Sequence, residues 1–230
     1  MVATGGARIL ALGVVLAAAT ACSSSSGPSV PAGLAQAGQP MQESPNVPGT
    51  LVWKKPGLNP ASYTSFIITP PEIYQGADAS FGNATPADKQ AMAAYMGREF
   101  RRALGERYRI TNTPGTGTAR LQLTLAGMSG NVPVAATASR ITPMGIVANV
   151  TRNATGGTPT FTGTVTIEGQ FFDSRTGQPL ATFITTRAPS AFDLGATLTS
   201  QDAQRAAVAG AANDLRDSLA RAQSAALPAR

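Results

Sequence analysis

The chain contains no histidine and a single cysteine, Cys22. Without histidine, the Ser-His-Asp and Cys-His arrangements of nucleophilic hydrolases are excluded. A zinc site built from imidazole and thiolate ligands is excluded as well, and one cysteine cannot form a disulfide within the chain. We therefore expect no metal site, no cofactor and no enzymatic activity.

Charged residues are also scarce, at 13% of the chain, and tryptophan occurs once. Basic residues nevertheless outnumber acidic residues by 18 to 12, which gives a formal net charge of +6. A positive balance of this size fits either attraction to an anionic surface or ordinary solubility.

The first 21 residues have the features of a signal peptide. Arg8 precedes an apolar run, Ile9 to Ala19, which is too short to remain as a membrane-spanning helix. The small residues Ala19-Thr20-Ala21 then stand directly before Cys22. This segment resembles the lipobox of bacterial lipoproteins, in which the cysteine thiol receives the lipid. We therefore expect residues 1–21 to be a lipoprotein signal peptide and Cys22 to be lipidated, for example with palmitate.

An alternative remains open at the same residue. Ala19 stands where leucine is most common, and Ala19-Thr20-Ala21 also satisfies the rule for ordinary signal peptidase, whose cut would leave a soluble protein with a free thiol. Cys22 is followed by Ser23 rather than aspartate. By resemblance to enterobacterial sorting, this implies a cell outer membrane location, facing the periplasm.

Residues 22–50 are expected to be the lipidated cysteine and a disordered linker. This segment combines four serines at positions 23–26 with five prolines, a composition that buries too little apolar surface to fold. We expect one globular domain over residues 51–223 and a flexible tail over residues 224–230.

The domain combines strand and helix patterns. Strands are predicted near residues 65–69, 108–111, 121–125, 161–172 and 180–187, and helices after the caps Thr85 and Thr199 or Ser200. This order predicts an α+β fold, a mainly antiparallel sheet with two amphipathic helices packed on one face.

Two carboxylates of one predicted hairpin are candidates for acid and base catalysis. Glu168 lies on the threonine-rich face of its strand, where we expect it to be solvated, and Asp173 suits a turn. Both positions therefore have structural interpretations, which we favour over a catalytic pair.

The densest basic cluster comprises Arg98, Arg101, Arg102, Arg107 and Arg109. Three of these residues fall in the last turns of the first helix, where cations interact favourably with the helix dipole. The alternative is contact with an anionic lipid surface or polymer. Basic and aromatic residues are not interleaved in this exported chain, so we expect no nucleic-acid partner.

The segment from Val132 to Gly157 is apolar but interrupted by proline and glycine. It is expected to form a core strand or, alternatively, a partner-facing surface centred on Ile146 and Val147.

The chain resembles one known family in the order of several short motifs. These are Tyr63 before Phe66-Ile67-Ile68-Thr69-Pro70, a helix into Tyr108, the Pro114-Gly115 turn and the segment Asp173-Ser174-Arg175-Thr176-Gly177-Gln178. In this order they resemble the bacterial lipoproteins of the domain-of-unknown-function 3313 family. The resemblance covers about Leu51 to Leu219, implies an envelope lipoprotein and supplies no catalytic residue.

These observations predict a membrane-anchored bacterial envelope lipoprotein, a non-catalytic binding or accessory module. Its expected contacts are the membrane, through the lipid, and another envelope protein or polymer. The alternative is a periplasmic ligand carrier or a hydrolase that uses carboxylates.

Overall fold

A computed structural model describes residues 40–129, 163–188 and 199–226 of the chain. These ranges form one mixed sheet and two long helices. We label the strands β1 (Gln42–Glu43), β2 (Thr50–Lys54), β3 (Ser65–Ile68), β4 (Glu72–Ile73), β5 (Arg109–Ile110), β6 (Thr118–Ser129), β7 (Thr164–Asp173) and β8 (Pro179–Arg187), and the helices α1 (Pro86–Gly105) and α2 (Ser200–Ala226); a 3-10 turn covers Pro60–Ser62.

The sheet has the strand order β1-β2-β8-β7-β6-β3-β5, and β4 pairs with a further part of β6. The pairs β1–β2, β2–β8, β8–β7 and β7–β6 are antiparallel. Strand β3 runs parallel to both β5 and β6, and β4 runs parallel to β6. The α+β class is thus confirmed, but the sheet is mixed. The reason is that α1 carries the chain from β3 back across the sheet, so that β5 and β6 run in the direction of β3.

Both helices begin with a capping box. Thr85 accepts a hydrogen bond from the backbone of Asp88, and the Asp88 carboxylate accepts one from the backbone of Thr85. Thr199 and Asp202 make the same pair of bonds at the start of α2. Each box satisfies two backbone N–H groups that a helix start would leave unpaired, which explains why the sequence predicted both helix starts.

The two helices run side by side in the same direction. Gln201 at the start of α2 lies against Asp88 near the start of α1, and Arg216 two-thirds of the way along α2 pairs with Glu106 just after α1. Both helices pack on the sheet face that carries Leu121, Leu123, Leu125, Val165 and Ile167, with Met96, Phe100 and Val208 fully buried between the layers.

The folded part of the chain begins earlier than the expected boundary at Leu51. Strand β1 lies inside the predicted linker and pairs with Leu51 and Val52 of β2. Val47 is buried, and the backbone N–H of Ser44 donates to the carbonyl of Thr50. The last part of residues 22–50 therefore folds as an edge hairpin, because pairing with β2 satisfies its backbone groups despite the proline content.

Several predictions concern residues outside the described ranges. They include the signal peptide, the lipidation site Cys22 and the segment with Ile146 and Val147. Within the described ranges, neither helix is long and apolar enough to cross a membrane, and no group of three metal-ligating side chains comes together.

Candidate functional site

A cavity of about 220 Å³ opens where the two helices begin. Its apolar lining is formed by Phe81, Ala84, Ala91, Met92 and Met128, and its polar lining by Asn83, Asp88, Ser200, Gln201, Gln204 and Arg205. The parallel arrangement of the helices creates this space, since it brings both first turns to the same end of the layer. Cavities that hold drug-sized ligands typically measure about 300–1,000 Å³, so this one suits a small group.

Most polar groups of the cavity already have partners in the fold. Gln204 is buried and donates from Nε2 to the carbonyl of Ser129 at 3.0 Å. Hydrogen bonds from the Thr85 side chain and then its backbone lower the pKa of Asp88, whose second oxygen accepts from Gln201. Arg205, at the rim, is the exposed cation of this lining.

Arg205 also belongs to a second feature on the outer surface of the helices. Its guanidinium carbon lies 5.8 Å from the centre of the Tyr95 ring, and the guanidinium carbon of Arg98 lies at the same distance from that ring. Two exposed cations therefore share one half-buried aromatic ring. The sequence could indicate that Tyr95 and Arg98 are one helical turn apart, but it gave no sign of Arg205, which comes from the other helix.

The arginines of the predicted basic cluster have different partners in the structure. Arg102 forms ion pairs with Glu99 and Glu106, at 2.9 and 2.6 Å. Arg101 donates to the carbonyl of Ile68 at 2.8 Å while its side chain stays exposed. Among the described residues, neither Arg98 nor Arg101 has a carboxylate within 4.0 Å, so Arg98 and Arg101 contribute uncompensated charge.

The burial of Glu168 differs from the prediction. We expected a solvated side chain, but Glu168 is only 2% exposed. It does lie on the threonine-rich face, away from the helices, beside Ile184 of β8. Segments from elsewhere in the chain cover this face, since Met41 and Tyr74 pack against Ile184 and Ala126.

Burial shifts the titration of this carboxyl group. Burial raises the pKa of Glu168, a hydrogen bond from Gln170 opposes the rise, and the negative charge of Glu72 adds to it. The Gln170 amide donates to Glu168 at 2.9 Å, and the strand register places Glu72, Thr124 and Glu168 side by side on neighbouring strands. A carboxyl group with a raised pKa is a functional candidate, but structural burial produces the same shift.

Replacing Glu168 by glutamine is expected to stabilise the protein at neutral pH. Because the pKa of Glu168 is higher in the folded than in the unfolded chain, the folded state binds more protons over the interval between the two values. The stability of the wild type therefore falls as the pH rises through that interval. Glutamine keeps the hydrogen-bonding shape without a charge, so the variant avoids this loss.

Thermal unfolding of wild type and Glu168→Gln between pH 4 and pH 8 measures this effect. The advantage of the variant should grow with pH, and Glu43→Gln, at an exposed glutamate of β1, is the matched control. A Glu168→Gln protein that is less stable than wild type at pH 8 would contradict the interpretation.

Asp173 lies apart from Glu168 and has a structural role. It is five residues further along β7, about 16 Å at the rise of a strand, which is more than the roughly 5–10 Å between paired catalytic carboxylates. Its Oδ1 accepts from the backbone N–H groups of Arg175 and Thr176 and from the Thr176 hydroxyl, and its Oδ2 accepts from the Tyr63 hydroxyl at 3.0 Å. The structure therefore does not bring the two carboxylates together.

The motifs that carried the family resemblance meet at this end of the sheet. Ser174 exchanges hydrogen bonds with Gly115, Tyr63 reaches Asp173, and Gln223 of α2 donates to the carbonyl of Tyr63 at 2.7 Å. Gly177 has φ of 70°, as the hairpin turn requires. These residues hold loops together at this end of the sheet.

Comparison with solved structures gives distant similarities. They include the hypothetical protein CT253 from Chlamydia trachomatis (TM-score 0.39, 10% identity, 72% of this chain and 98% of that chain). Protein XCC0632 of the DUF330 family from Xanthomonas campestris has a TM-score of 0.38 and 12% identity over 75% of this chain and 92% of that chain. The PelC dodecamer from Paraburkholderia phytofirmans has a TM-score of 0.38 and 10% identity over 72% of this chain and 96% of that chain.

These similarities are too distant to carry a functional inference, and no curated protein matches the chain. The sequence does match one family model, described as a protein of unknown function (DUF3313), over residues 32–215. This match includes the β1 hairpin, α1 and the first part of α2, and it starts well before Leu51. The chain is therefore a member of the DUF3313 family.

Proposed function

We propose that the protein is a lipid-anchored component of the bacterial envelope that binds a partner and performs no catalysis. The observation that carries the proposal is the position of Cys22. The one thiol of the chain follows an apolar run and three small residues, where a lipoprotein receives its lipid. The outer membrane, facing the periplasm, is the proposed location, because Ser23 rather than aspartate follows the cysteine.

The roles of the acidic side chains support the non-catalytic part of the proposal. Asp88 and Asp202 cap helices, and Asp173 closes a hairpin. Glu99 and Glu106 hold Arg102. Each of these carboxylates has an evident structural task, and Glu168 is shielded from solvent by the fold itself. A hydrolase that depends on carboxylates would have to use acidic residues other than these six.

The cavity at the helix starts favours a second candidate, a carrier of a small periplasmic ligand. Apolar side chains on one side and amide groups on the other are the usual composition of a ligand site. A carrier purified from the envelope should retain its ligand, visible as added mass in native mass spectrometry, and should lose that mass when Ala91→Trp fills the cavity. A binding module of the first kind would show no mass beyond that of the polypeptide and its covalent lipid.

Replacing Cys22 by alanine is expected to release the protein from membranes. Without the thiol no lipid can be attached, and the remaining chain has to stay in place through surface contacts alone. Fractionation of cells that express wild type, Cys22→Ala or the matched control Ser25→Ala measures the effect. Wild type and Ser25→Ala should sediment with membranes, and Cys22→Ala should appear in the periplasmic extract. Complete retention of Cys22→Ala with membranes, resistant to high salt, would overturn the proposal.

A further inference from the structure

The outer surface of the helical layer combines small side chains with uncompensated positive charge. Along α1, six exposed residues recur at helical spacing: Ala87, Ala91, Ala94, Arg98, Arg101 and Arg102. The alanine side chains are short, so the longer arginine side chains extend beyond them. We call Tyr95, Arg98 and Arg205 the arginine face; Arg101, which donates to the carbonyl of Ile68, adds charge elsewhere on α1.

The fold holds two of these cations close together. The guanidinium groups of Arg98 and Arg205 lie on the same Tyr95 ring, so their central carbons are at most twice 5.8 Å apart. Attraction to the ring offsets part of their mutual repulsion. Within the described residues, the ion pair of Arg205 is with Asp202, at 4.0 Å. An approaching anion would therefore meet charge that the fold has concentrated and left largely unpaired.

We propose that the arginine face docks on an anionic phospholipid surface and so orients the body against the membrane that holds its lipid. Two arguments favour this occupant over other polyanions. The first is charge complementarity, because lipid phosphates form a plane of negative charge and the arginine face presents two exposed cations. The second is proximity, and it rests on the proposed lipidation of Cys22.

The length of chain between the anchor and the body makes this docking efficient. Residues 23–39 join Cys22 to the described body, and a flexible linker of that length, as the sequence composition predicts, would span ~25 Å. Anchoring at this distance converts docking into an intramolecular event with a high effective concentration. Each arginine near an anionic leaflet strengthens binding about fivefold, so a few cations suffice when the body is already tethered.

Vesicle co-sedimentation tests the arginine face directly. The chain with Cys22→Ser, purified without its signal segment, is mixed at low salt with phosphatidylcholine vesicles that contain either no phosphatidylglycerol or about one-third of it. We expect binding to the anionic vesicles alone and loss of that binding in high salt. Arg98→Glu with Arg205→Glu should weaken binding at least tenfold, and Arg98→Lys with Arg205→Lys should preserve it.

A matched pair of substitutions controls for net charge. Lys54→Glu with Arg175→Glu changes the charge of the protein by the same amount at exposed positions on β2 and the β7–β8 hairpin, away from the helices. This variant should lose much less binding than the variant of the arginine face. Equal losses in the two variants, equal binding to neutral vesicles, or no binding to anionic vesicles would each overturn the proposal. Because this chain carries no lipid, such a failure is distinct from a failure of lipidation, which the Cys22→Ala fractionation reports.

Discussion

Replacement of Gly169 by alanine is expected to destabilise the fold by about 2–3 kcal/mol. Gly169 sits in the middle of β7, between Leu123 of β6 and Phe183 of β8, on the sheet face that meets the helices. A methyl group at this position would overlap the ring of Phe183. That ring belongs to the buried core and lies 6.3 Å from the ring of Phe171, centre to centre, so we expect its displacement to disturb neighbouring core side chains.

Chemical denaturation of Gly169→Ala measures the loss, and two further variants identify its cause. Gly105→Ala, where a methyl group meets only ordinary contact with Ile110 at 3.6 Å, should leave stability nearly unchanged. The double variant Gly169→Ala with Phe183→Leu should be more stable than the sum of the two single effects predicts, because the smaller side chain leaves room for the methyl group. Strict additivity would show that the overlap with Phe183 is not the source of the loss.

Replacement of Asp173 by alanine is expected to cost about 2 kcal/mol. The carboxylate is the acceptor for the turn that joins β7 to β8 and for the Tyr63 hydroxyl, which links the hairpin to the segment before β3. These hydrogen bonds, with the backbone N–H of Thr176 first among them, hold the pKa of Asp173 below its usual value. The stabilisation is therefore complete at neutral pH and declines as the pH falls through the acidic range.

A double-mutant cycle with Tyr63→Phe separates the parts of this effect. Tyr63→Phe alone should cost about 1 kcal/mol, and the double variant should cost less than the two single variants together, since both remove the same hydrogen bond. The outcome also bears on catalysis. An Asp173→Ala protein that unfolds like wild type but has lost a measurable hydrolytic activity would make Asp173 a catalytic residue instead.

The sequence predicted the features that depend on neighbours along the chain. The capping boxes at Thr85 and Thr199 and the hairpin closed by Gly177 lie where their local patterns placed them, because each is built from residues within a few positions of one another. Alternation of apolar residues likewise identified the core face of β6 and β7.

The features that the sequence did not predict depend on distant segments. The sequence assigned Glu168 to the correct face of the sheet. The solvent exposure of that face, however, depends on Met41 and Tyr74, which lie far from Glu168 in sequence. The direction of β3 relative to β6 depends on the path of α1. The shared ring of Tyr95 depends on the parallel packing of two helices, which no pattern within either helix specifies.

The intact mass of the protein extracted from membranes tests the central claim most directly. If Cys22 anchors the chain, the mature protein begins at Cys22 and carries the added mass of a lipid modification, which peptide sequencing localises to that residue. A membrane-derived protein that begins at Cys22 with an unmodified thiol, or that begins at any other residue, would contradict the account.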